Sequence, residues 1–64
     1  MDKIGKIVKL LADIGIDEET VVGIVVICNN IGAIEDIISY IEKTKDVSED
    51  DILNRIVEIA KEDG

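Results

Sequence analysis

Apolar residues recur along this chain at helical spacing in four places. Between Asp2 and Ile14, the residues Ile4, Ile7, Val8, Leu10, Leu11 and Ile14 fall within one face roughly 160° wide. Lys3, Lys6, Lys9 and Asp13 take the other side, and Gly15 supplies the left-handed residue that commonly ends a helix. This pattern predicts a core-facing helix from Asp2 to Ile14. A second start signal follows at Ile16-Asp17-Glu18-Glu19. Asp17 suits the N-cap, the two glutamates suit the positive end of the helix dipole, and Ile16 can pack on Val21 as a hydrophobic staple. The helix is expected to reach about Asn29.

This second segment is also the one with a competing reading. Val21-Val22-Gly23-Ile24-Val25-Val26-Ile27 is rich in β-branched residues, and periodicity alone cannot separate a short buried strand from a buried helix. Nothing else in the chain reads as a strand. A lone strand would leave its backbone hydrogen bonds unmade, so helix is expected unless two chains pair here.

Asn29-Asn30-Ile31-Gly32 marks the next break, because Asn and Gly tolerate left-handed backbone. A third helix is expected from Ile31 or Ala33 to Thr44, with Ile34, Ile37, Ile38 and Ile41 as its stripe and Tyr40 at the stripe's edge. Lys45-Asp46-Val47-Ser48 then leads into the clearest start in the sequence. Ser48 is placed as N-cap, Asp51 at the third helical position forms an acidic capping box, and Val47 can staple to Ile52. Ile52, Leu53, Ile56, Val57, Ile59 and Ala60 mark one wide face of a fourth helix, which is expected to fray at Glu62-Asp63-Gly64. The prediction is an all-α fold, a small bundle of four short helices forming one domain over residues 1–64.

Composition narrows what such a bundle can do. Of 64 residues 47% are hydrophobic, including 14 Ile and 7 Val, with one aromatic and no His. That aliphatic load argues against disorder. The longest apolar run, Val21 to Cys28, is far short of the roughly 20 residues of a membrane span. Met1-Asp2-Lys3 does not open a signal peptide, so a cytoplasmic location is expected, and the single Cys28 agrees with a reducing compartment. A core this small supplies about 3–5 kcal/mol, and neither a disulfide nor a His/Cys zinc set is available to add to it.

Charge is uneven. Residues 1–16 hold three lysines against two aspartates, +1, and residues 17–64 hold four basic against 13 acidic residues, −9, giving −8 overall. With one arginine, Arg55, the chain is not expected to bind nucleic acid or an anionic membrane surface.

No enzyme is read from the sequence, and no catalytic, cofactor-binding or metal-binding residue is assigned. Without His, a Ser or Cys nucleophile lacks its usual base, and Cys28 sits in the most apolar segment, where a thiol is normally inert. A chain this short is expected to lack a pocket of about 300 Å³ or more. Asp46, Ser48 and Asp50 alternate like the first ligands of a calcium loop, but Asp51 stands where the loop needs Gly and Val57 where it needs Glu. The five glycines form no phosphate loop, and a helix-turn-helix over helices two and three would present Glu35 and Asp36 to DNA. Ser48, between Val47 and Glu49, lacks the Asp and Leu neighbours of an acyl carrier's attachment serine.

What remains is the second helix, apolar all round. With Val21, Ile24, Val25 and Cys28 turned inward, Val22, Val26 and Ile27 point elsewhere, with Gly23 between them. Either the other three helices wrap this segment or another molecule covers part of it. Val22, Gly23, Val26 and Ile27 are therefore the candidate partner-binding residues. The expected function is that of a non-enzymatic protein–protein interaction module, a small acidic adaptor or regulator or a homodimer, its partner another protein or a second copy of the chain. The alternative is an acidic inhibitor that mimics nucleic acid and fills a basic groove on a target.

Overall fold

A computed structural model describes residues 2–63 and shows four helices packed against one another: α1 Lys3–Ile14, α2 Glu18–Ile31, α3 Ile34–Lys43 and α4 Glu49–Asp63. No strand occurs among the described residues, so Val21–Ile27 is helical as expected. The body measures 30 × 23 × 22 Å between its Cα extremes. The pair α2–α3 forms its middle. α1 and α4 each pack on both members of that pair and hardly meet each other.

Helix ends follow local chemistry with small departures from expectation. α1 begins at Lys3, one residue later than read, because Asp2 is its N-cap and its carboxylate accepts from the Ile4 N–H at 3.2 Å. Gly15 ends it at φ 101°. Asp17 sits at the N-cap of α2, yet its carboxylate takes the Thr20 hydroxyl at 2.8 Å in place of a backbone N–H. α2 runs to Ile31, two residues beyond the expected Asn29, because Asn29 and Asn30 stay helical and Gly32 alone turns left-handed, at φ 69°. Only Gly32 and Ala33 separate α2 from α3, and Thr44 caps α3 from outside. At α4 the capping box is reciprocal: the Asp51 N–H donates to Ser48 Oγ at 3.2 Å, and the Ser48 N–H donates to the Asp51 carboxylate at 3.1 Å. Asp51 is thereby committed to the helix start. α4 continues through Glu62 and Asp63, where fraying was expected; Gly64 lies outside the described residues.

The core is aliphatic and holds no buried polar or charged residue among those described. Ile7, Leu11, Ile24, Cys28, Ile37 and Ile52 are its fully buried centre. Both expected staples are buried, Ile16 with Val21 and Val47 with Ile52. Two predicted stripes are wider than the core they serve. Ile4 and Val8 of α1 and Leu53, Val57 and Ala60 of α4 were read as core-facing and are exposed.

Candidate interaction surface

The outer side of α2 is where the chain's apolar surface reaches solvent. Val21, Ile24 and Cys28 are buried and Val25 is half-buried, which fixes the inward side of the helix. Val22, Val26 and Ile27 are 57%, 53% and 47% exposed. The other three helices do not wrap this segment. Gly23 lies among these residues and is exposed, and a Cβ built on it would meet no atom within 4 Å. Its backbone is not left-handed, so nothing inside the chain requires glycine there. An interior helical glycine costs about 1 kcal/mol relative to alanine.

Ion pairs mark which side of the neighbouring helices is turned to α3. On α1, Lys3 pairs with Glu35 of α3, and Lys6 pairs with Glu42 of α3 at 3.1 Å. That edge of α1 therefore faces α3. Ile7 and Leu11 are fully buried at the centre of the stripe, and Ile4 and Val8 lie on the edge away from Lys3 and Lys6 and are exposed. α4 repeats the arrangement. Arg55 pairs with Asp36 of α3 at 3.1 Å and stands 6.0 Å from the centroid of the Tyr40 ring, also on α3. Ile52 and Ile56 are buried, and Leu53 and Val57 lie on the side of α4 away from Arg55 and are exposed. The exposed large apolar residues thus come from α1, α2 and α4 and none from α3. α2 exposes three large apolar residues, and α3 carries the carboxylates of the three inter-helix ion pairs.

The electrostatics follow the same division. Between Thr20 and Ile31 α2 carries no charged residue. On α3, Glu35, Asp36 and Glu42 are each tied to a cation of the same chain. Hydrogen bonding and attraction from Lys3 hold the Glu35 carboxyl below its ordinary range, and Asp36, aided by the charges of Glu58 and Glu62, pushes the Arg55 guanidinium further up. Cys28 is fully buried, and loss of hydration raises its thiol above the ordinary value.

Contrary to expectation, a hollow of about 620 Å³ does form, between the start of α1 and the end of α2. Asp2, Lys3, Ile4, Asn29, Gly32, Ile34 and Glu35 line it. Its ionisable groups are already engaged, Asp2 as a helix cap and Lys3 with Glu35.

Of the four residues singled out from sequence, Val22, Gly23, Val26 and Ile27 all stand on one exposed side of one helix. Sequence reading did not anticipate that Ile4, Val8, Leu53 and Val57 would also be exposed. The breadth of the α1 and α4 stripes was the available signal, since a two-sided contact needs less apolar width than these helices carry. No protein-family model, characterised protein or solved structure matches this chain.

Proposed function

We propose that this chain is a non-enzymatic protein–protein interaction module that binds through the outer side of α2. One observation carries the proposal: on an otherwise acidic body, the outer side of α2 exposes Val22, Val26 and Ile27 over a stretch, Thr20 to Ile31, that carries no charge. Surfaces of that kind on small proteins mark contact sites, because leaving them in water forfeits the hydrophobic stabilisation that covering them provides. A partner for this face is apolar and uncharged at the contact, since a charge brought against Val22, Val26 and Ile27 would lose its hydration with no counter-charge to meet.

The nucleic-acid-mimic reading draws on the −8 net charge. The internal pairing of Glu35, Asp36 and Glu42 weighs against it, because a mimic must offer its carboxylates to the basic groove of a target. The two readings differ in salt dependence. An apolar contact survives added salt, whereas an acidic mimic weakens steeply with it.

The test compares the native chain and Val26→Glu as immobilised baits. At 53% exposure Val26 is replaceable without unfolding the chain, which circular dichroism verifies. Proteins retained by the native bait at high salt and lost from the variant support the proposal. Identical retention by the two baits, or retention abolished by salt alone, overturns it.

A further inference from the structure

We draw no further inference here: the strongest candidate, the exposed apolar strip of Val22, Val26 and Ile27 on the outer side of α2, carries nothing beyond the proposed function because nothing in the structure shows what covers it.

Discussion

Replacing Gly23 by alanine adds one methyl group to the outer side of α2, where no atom lies within 4 Å. The backbone there is ordinary helix, so the change carries no strain and no collision. What it alters is the chain's freedom. Glycine loses more conformational entropy on folding than alanine, and in a helix interior the difference is about 0.8–1 kcal/mol. Removing it from a fold holding only about 3–5 kcal/mol raises the folded-to-unfolded ratio roughly fivefold. For a domain of this size it lifts the melting temperature by about 4–8 °C. The assay is urea and thermal unfolding followed by circular dichroism, at concentrations where the chain is monomeric. Gly32→Ala is the counterpart. It too meets open space, but its φ of 69° is one that side chains rarely adopt, and it should lose about 1 kcal/mol or more. An unchanged or lower stability for Gly23→Ala would refute the reasoning, because it would mean that the outer side of α2 is occupied within the monomer.

Other consequences can be checked as directly. Ser48→Ala removes one half of the reciprocal cap on α4 and should cost about 0.5–2 kcal/mol in a denaturant titration, with Asp51→Ala non-additive because the two share one motif. Cys28, fully buried and with its thiol raised above 9.0, should resist alkylation in the native chain and react fully once unfolded; equal rates in both states would contradict its burial. Lys3 holds the Glu35 carboxyl below its ordinary 4.5, so the fold favours the ionised form. The pair therefore lends stability above the unfolded carboxylate range and loses it as pH falls through the lowered folded value. Lys3→Ala should return Glu35 to the ordinary range in an NMR titration and remove that part of the acid dependence.

The fold was readable because its signals were local. Ser48 and Asp51, Val47 and Ile52, and Gly15 are neighbours in sequence, and their interactions depend on little beyond the chain between them. Helix was the right choice for Val21–Ile27 on the ground that a strand there would have had nothing to pair with. What could not be read is how far each helix is rotated about its own axis. That angle is set by packing between residues distant in sequence, with Ile7 and Leu11 of α1, Ile24 of α2, Ile37 of α3 and Ile52 of α4 meeting in the buried centre. Without that packing Ile4 and Val8 could not be separated from Ile7 and Leu11 within one stripe. The candidate residues on α2 were legible for the opposite reason, since an all-apolar helix must expose some side wherever its neighbours stop. The hollow beside Gly32 escaped because it arises from imperfect filling between α1, α2 and α3, which leaves no mark on periodicity.

The two-residue joint at Gly32-Ala33 also sets an order of events when the chain folds. The entropy of closing a loop grows with its length, and α2 and α3 have the shortest connection in the molecule. The turn is fixed by the Ala33 N–H, which donates to the Cys28 carbonyl at 2.8 Å and caps the end of α2. Since α1 and α4 each dock on both of these helices, a hairpin formed early would offer both a surface to dock on. Changes at Gly32 should accordingly slow refolding, whereas loss of the Ser48 cap should act mainly by hastening the release of α4 from a hairpin that remains.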